Sequence, residues 1–326
     1  MDLSKIIKIY DHDGREVPVQ EGLPANKLEY HIKDAEECYA RIDENNVMLF
    51  HSIDLGEIDI CISHYLMDGN TKFYATANRY TLEVHNLLEG YVQYRLKGFK
   101  WRRINEGEYN IIYLDEIDNE VHIIQPAVTI DFQISKALLY RLAKKYAILR
   151  PFAEDLRNGT KTSFHTEFYP DSPKAMLLLI KIMALVKKGE GKSPEVKDLA
   201  MKAIHALIVA KTEKFRYRYS YEQIERIDNA SQMFIKHMDD EDILKKQIAK
   251  SGFNGAKFRE GFKSMFDCTP KHFLMLARMK RVEELVLQGY TLSQICRLLP
   301  YHEPKHLEEA FFDTKGYHIK DVRRKM

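Results

Sequence analysis

The side chains of this 326-residue sequence that could do chemistry fall into three sets. The first is cationic: Lys257, Arg259, Lys263, Arg278, Lys280 and Arg281 crowd one short stretch. A guanidinium can hold guanine O6 and N7 through two parallel hydrogen bonds, whereas an ammonium neutralises a phosphate without reading a base. The second set is His64, His85 and His122, each in a strand-like run. A metal centre needs two histidines close together with a carboxylate. His85 is followed by Asn86 and Leu87, so it makes no H-x-H pair. The third set is Cys38, Cys61, Cys268 and Cys296, far apart and without C-x-x-C spacing. They signal neither a zinc site nor a disulfide framework and read as free thiols of a reducing cytosol. P-loop, G-x-S-x-G, H-E-x-x-H and Rossmann patterns are all absent from the sequence. The expectation is no enzyme, no metal and no cofactor.

The charge balance first argues against a nucleic-acid partner, because the formal net charge is only +2. From Ile243 to the end, however, 17 basic residues face 9 acidic ones, a net +8 that leaves −6 for the rest. That split points to an anionic partner for the C-terminal end. The first ten residues lack a signal-peptide core. The most apolar run, Ala175 to Val186, is interrupted by Lys181 and is shorter than the roughly 20 residues of a membrane helix. A cytoplasmic protein without a membrane partner is expected.

The elements that must position these groups change character near Ser135. Before it, 47–53, 58–65, 81–87, 91–96, 109–114, 121–125 and 128–134 are short runs rich in β-branched and aromatic residues. Turn residues separate them at Met67–Asn70, Leu88–Gly90, Lys97–Gly98 and Asn105–Gly107. Such spacing predicts a small barrel or two-sheet sandwich. Trp101 is equally readable as a pocket wall or a surface anchor. After Ser135 almost everything has a helical period. Ser172-Pro173, Ser193-Pro194 and Thr269-Pro270 each offer a hydroxyl N-cap followed by a proline whose φ suits the first turn. Tyr221 to His237 reads as a further helix, and Asp239–Asp242 as an acidic start for the next. The Met and Leu stripe from Met176 to Leu185 reads as core, with a dimer contact as the sharper alternative.

One pattern occurs twice in the basic end. A short helix closes at Gly252, Asn254 caps a second helix, and Phe258, Phe262 and Phe266 recur on its inner face. The copy starts with a Thr291–Gln294 capping box, turns at Pro300-Tyr301 and restarts at Glu303-Pro304, with Leu307 and Phe311 inside. Each is a helix-turn-helix layout, whose second helix fits the major groove. Between them, Pro270 to Gln288 predicts one helix of roughly 28 Å at 1.5 Å per residue. That suits reading heads in successive grooves about 34 Å apart.

At Gly261–Phe266, Leu276–Leu285 and Thr291–Cys296, with spacing out to Phe311, Gly316 and Val322-Arg323, the sequence resembles the AraC/XylS-type transcription regulators over about 85 residues. More weakly, Glu83–Gly90, Tyr91–Leu96 and Gly107–Tyr113 resemble the sensor module of a siderophore-responsive branch. The resemblance implies base readout by Lys257, Arg259 and Glu260 on the first reading helix, beside Ala256. On the second it implies Lys305 and Glu309, with Pro304 and His306. Asn254, Lys263, Arg278, Lys280 and Arg281 would hold phosphates, and Arg323–Lys325 could join them. The chain departs from the family pattern at Pro300, where glycine is usual, and at Ile319, where proline is usual. Glu308, Glu309 and Asp313 put carboxylates on the second reading helix. The first unit is therefore expected to supply most of the affinity, and the second to be weak or mainly structural.

The expected architecture is α+β. Residues 1–135 form a cupin-like β-barrel or sandwich sensor with unknown ligand residues. Residues 136–220 form a helical linker and candidate dimerisation region, and 221–326 an all-α double helix-turn-helix domain. The expected function is transcription regulation through double-stranded DNA, controlled by a small effector of siderophore-like or other chemistry. RNA polymerase and a second copy of the chain are further candidate partners. Two alternatives stay open: a metal-dependent cupin-like enzyme with a helical appendage, and a helical protein-interaction module that has lost DNA binding.

Overall fold

The structure is a computed structural model that describes residues 7–77, 80–96, 100–114, 116–165, 167–210 and 215–324. The chain divides into two compact units, Met1–Lys214 and Phe215–Met326. In chain order the strands are β1 (Lys8–Asp11), β2 (Glu16–Val17), β3 (Val19–Glu21), β4 (Glu36–Arg41), β5 (Val47–Asp54), β6 (Ile58–Leu66), β7 (Thr71–Ala77) and β8 (Thr81–Glu89). They continue with β9 (Tyr91–Leu96), β10 (Arg102–Asn105), β11 (Glu108–Leu114), β12 (Ile117–Ile123), β13 (Ala127–Ile134), β14 (Thr162–Ser163) and β15 (Tyr169–Pro170).

These strands make two antiparallel sheets. The smaller runs β10-β9-β12-β7-β1-β2, and the larger runs β14-β11-β8-β13-β6-β5-β4-β3, with β15 also on β11. Ile9, Phe73, Val92 and Ile123 of the smaller sheet meet Met48, Leu87, Ile112 and Leu114 of the larger in one core. The expected sandwich is therefore present. Strand period dictates that neighbours along β6, β8 and β13 face opposite ways. Ile60, Ile62, Val84, Ile130 and Phe132, on the far face of the larger sheet, are fully buried as well.

Helices α1 (Lys136–Lys145), α2 (Arg150–Arg157), α3 (Pro173–Lys187) and α4 (Pro194–Ala210) complete this unit. The Tyr109 hydroxyl on β11 donates to the Leu207 carbonyl of α4, which ties the helices to the larger sheet. The Ser172 and Ser193 hydroxyls accept from Ala175 and Val196 N–H, as the Ser-Pro pairs predict. Met176, Leu179 and Ile182 of the apolar stripe are buried, and α3 packs on α4.

β14 and β15 lie in the region where the sequence predicts helices. Two-residue strands have no period to detect, and they form by pairing with the edge of β11. β12 also begins at Ile117 rather than Val121, because its register is fixed by β7, with Ile117 opposite Ala77. The Lys97–Gly98 turn lies outside the described residues.

The second unit contains α5 (Tyr221–Lys236), α6 (Ile243–Ser251), α7 (Gly255–Phe266), α8 (Pro270–Leu287), α9 (Leu292–Leu298) and α10 (Pro304–Lys315), closed by a 3₁₀ turn at Ile319–Arg324. α6–α7 and α9–α10 are the two expected helix-turn-helix pairs, and α8 packs against α7 and α10. At 18 residues α8 is about 27 Å long. Phe258 and Phe262 are fully buried, and Phe262 packs on Phe266 and Phe273, with ring centroids 4.5 and 5.3 Å away. The phenylalanine series is core. Around Met279, Val282, Ile295, Leu307 and Phe311 lies a second cluster that holds α8, α9 and α10 together.

Candidate nucleic-acid interface and effector cavity

The first reading helix is set by three local devices. Gly252 takes the left-handed conformation (φ 75°) that ends α6, a geometry that costs a residue with a Cβ about 1–2 kcal/mol. The Asn254 side chain accepts from Lys257 N–H at 2.8 Å and caps α7. Gly261 lets α7 approach the α5 region, since a Cβ there would lie 2.7 Å from Ile227 Cδ1 and 2.8 Å from Tyr219 Cε1.

These devices leave Ala256, Arg259 and Lys263 on the exposed face of α7. The Arg259 guanidinium lies along its own helix beside Gly255. Lys257 is half-buried: its ammonium donates to Gln223 Oε1 at 2.9 Å and lies over the Tyr219 and Phe253 rings. Glu260 turns inward, accepting from the Arg216 and Tyr217 N–H groups at 3.2 and 3.1 Å and from the Tyr219 hydroxyl at 3.3 Å. Burial, followed by the neighbouring Glu260 carboxylate, pushes the Tyr219 phenol up. Sequence spacing alone could not reveal this, because the partners of Glu260 lie more than 40 positions earlier.

On α8, Lys280 is exposed and Arg281 donates to Glu284 at 2.9 Å. Arg278 is half-buried and donates to the Met238 and Asp240 carbonyls at 2.8 and 3.1 Å, binding the α5–α6 connection to α8. In the second pair, Thr291 and Gln294 form the predicted capping box. Lys305, His306, Glu308, Glu309 and Asp313 are exposed on α10, and Glu303 gives no side-chain cap. Glu283 of α8 accepts from Lys315 at 2.7 Å and from the Tyr317 hydroxyl, which fixes the far end of α10. Of the basic tail, Lys325 lies outside the described residues.

Between its sheets the first unit holds a partly open cavity of about 180 Å³. Its walls include Phe50, Tyr65, Phe73 and Tyr94, and its floor carries polar residues from three adjacent strands. Register explains the floor: Cys61, Asp131 and His85 are directly opposite one another on β6, β13 and β8, and Gln133 is opposite Glu83. His85 Nδ1 lies 2.7 Å from Asp131 Oδ1 and 4.0 Å from Glu83 Oε1. Burial alone would lower the His85 pKa, but Asp131 and then Glu83 raise it to about 9. Asp131 is itself held by Asn86 N–H at 3.3 Å and the Thr129 hydroxyl at 3.1 Å.

The three histidines of the sequence reading are not brought together. His85 faces the cavity, His64 packs on the His51 ring with centroids 5.4 Å apart, and His122 bonds Gln93 and Asn70. Among the described residues no three His, Cys, Asp or Glu side chains are grouped to hold a metal ion. No described helix is long and apolar enough to cross a membrane. Trp101 is 43% exposed, with the Arg95 guanidinium 5.3 Å from its ring centre, and is not among the cavity walls.

No family model and no curated protein matches the chain. Among solved structures it is similar to the AraC-like transcriptional activator CuxR, at 12% identity and a TM-score of 0.34 over 84% of this chain and 87% of that one. It is also similar to ToxT from Vibrio cholerae O395 bound to (E)-4-(8-methylnaphthalen-1-yl)but-3-enoic acid, at 12% identity and a TM-score of 0.30 over 83% and 100%. At these values neither likeness carries a functional argument.

Proposed function

We propose that the chain is a sequence-specific DNA-binding regulator of transcription whose sandwich cavity takes a small effector. The observation that carries this reading is α7. It follows a tight left-handed turn at Gly252, is capped by Asn254, and exposes Arg259 and Lys263 on one face. A helix presented in this way fits the major groove. In this reading Arg259 reads a base, worth roughly 1–3 kcal/mol of discrimination. Lys263 and Lys280 neutralise phosphates. Glu260 and Arg278 serve the fold, because both are committed to internal hydrogen bonds. Lys257 shares that role through Gln223, and Asn254 through its cap. Arg281 contributes charge but is shared with Glu284.

α10 offers Lys305 among exposed Glu308, Glu309 and Asp313. Carboxylates near phosphate are repelled, although Glu309 could accept from a cytosine amine. Phe312 and Leu298 are 44% and 47% exposed in the same pair. That combination favours a protein partner for this end, with RNA polymerase the candidate in a regulator. The cavity is smaller than the roughly 300–1,000 Å³ that holds a drug-sized ligand, so the effector proposed is smaller than a siderophore.

The test is a salt titration of the full chain on duplex DNA. Affinity should fall steeply with salt as counterions are released. A flat response would remove the DNA reading and favour the protein-interaction alternative.

A further inference from the structure

A second concave site of the first unit is a partly open groove of about 370 Å³ between α1 and α2, which pack on each other. Among the described residues it shares no lining residue with the sandwich cavity. Its volume lies within the roughly 300–1,000 Å³ that holds a small ligand. Tyr140, Ala143 and Lys144 enter it from α1, and Arg150, Ala153, Glu154 and Arg157 from α2. Steps of three and four residues put each set on one face of its helix. Ala143 and Ala153 are buried and end at a methyl group, which leaves the recess between the helices open. The rim is cationic: Lys144, Arg150 and Arg157 are exposed, with Glu154 as the carboxylate among them. Arg150 and Arg157 stand four and three residues from Glu154, spacings at which helical charges can pair. Neither pair forms. Among the described residues the three cations make no ion pair or side-chain hydrogen bond, and the Arg157 guanidinium lies over the Tyr140 ring, 5.6 Å from its centre.

We propose that this groove binds a small phosphomonoester with a flat apolar body. A phosphomonoester is a dianion above its second pKa of about 6, which matches the excess of two positive charges left by three cations and Glu154. A guanidinium holds two phosphate oxygens through parallel hydrogen bonds, and the ammonium adds a point charge. The flat body lies on the Ala143 and Ala153 methyl groups beside the Tyr140 ring, an aromatic face that accepts a planar group. The site goes beyond the regulator reading and does not depend on it.

The experiment is calorimetry on the full chain at about pH 7.5 and fixed ionic strength with three probes: phenyl phosphate, its monoanionic analogue phenyl sulfate, and inorganic phosphate. Phenyl phosphate should bind with a sub-millimolar Kd, at least about fivefold more tightly than either of the others. Lys144→Gln and Arg150→Gln should each weaken it by about fivefold or more, and Glu154→Gln should tighten it by about threefold. Lys188→Gln, which removes an exposed cation at the end of α3, should change it by less than about twofold. Circular dichroism checks the folding of each variant, and if one misfolds the others decide. No binding of phenyl phosphate at about 5 mM overturns the proposal, as does equal affinity for the three probes. Groove variants that lose no more affinity than Lys188→Gln also overturn it, because the probe then binds elsewhere or by general attraction. Duplex binding on the same preparation keeps the claims apart. DNA binding without phenyl phosphate binding overturns only the groove; the reverse overturns only the regulator reading.

Discussion

Arg259 and Lys263 sit one helical turn apart on α7, yet their chemistry predicts different losses. Arg259→Ala should relax preference at one base position by roughly 1–3 kcal/mol, measured by competition among single-base operator variants. Lys263→Ala should weaken all sequences alike and reduce the slope of log affinity against log salt by about one. Identical behaviour of the two variants would contradict the assignment. Glu260→Ala should instead act on folding, since it removes the charged acceptor of the Arg216 and Tyr217 N–H groups. A loss of about 1–3 kcal/mol in chemical denaturation is expected, with base preference unchanged. From the sequence, Arg259 and Glu260 look alike as base-reading residues, with Lys263 as a phosphate contact beside them. The sequence could not show that Glu260 meets a backbone segment brought back by α5, which is a tertiary fact. Arg278 was misleading for the same reason: a cation on a basic helix reads as a phosphate contact until the Met238 and Asp240 carbonyls are placed beside it.

At the scale of elements, local chemistry was legible and edges were not. The Ser172, Ser193, Asn254 and Thr269 caps and the Thr291–Gln294 box could be read directly because a cap involves neighbours only three positions apart. β14 and β15 could not, since their existence depends on β11. The cavity floor was hidden for a different reason. Glu83 and His85 on β8, and Thr129, Asp131 and Gln133 on β13, alternate with apolar residues, a pattern that normally marks a solvent face. Here the polar face looks into the space between the sheets, and the apolar face is buried as well. Packing makes a sharper prediction at Gly261, where α7 faces Ile227 of α5. Gly261→Ala would force a methyl group to within 2.7 Å of Ile227. Overpacking of this kind should cost about 1–3 kcal/mol, seen as a lower denaturation midpoint in the unchanged presence of helix.

For the whole molecule, charge acts through stability as well as through partners. His85 has a folded pKa near 9, above the ordinary value of 6.5, so its contribution is complete below pH 6.5 and disappears as pH rises through 9. His64 goes the other way: burial first, then the neighbouring His51, lowers it to about 4. The unfolded chain therefore gains a proton that the folded chain refuses, and stability falls as pH drops from 6.5 toward 4. Chemical denaturation across pH 4.5–9.5 should give a maximum near about 6.5, and Asp131→Asn should flatten the alkaline side. Stability still rising at pH 9 would contradict the His85–Asp131 pairing. The near-neutral total of +2 conceals the division that matters most, a net +8 from Ile243 onward against −6 before it. That division and the two helix-turn-helix repeats were visible in the sequence; the inward turn of Glu260 and the chemistry of the cavity required the fold. The central claim is that α7 reads DNA, and it is tested most directly by selecting bound sequences from random duplex with the full chain and with Arg259→Ala in parallel. The account predicts an enriched motif for the unmodified chain that loses information at one position in the variant. Enrichment of no motif, or of the same motif by both proteins, would contradict it.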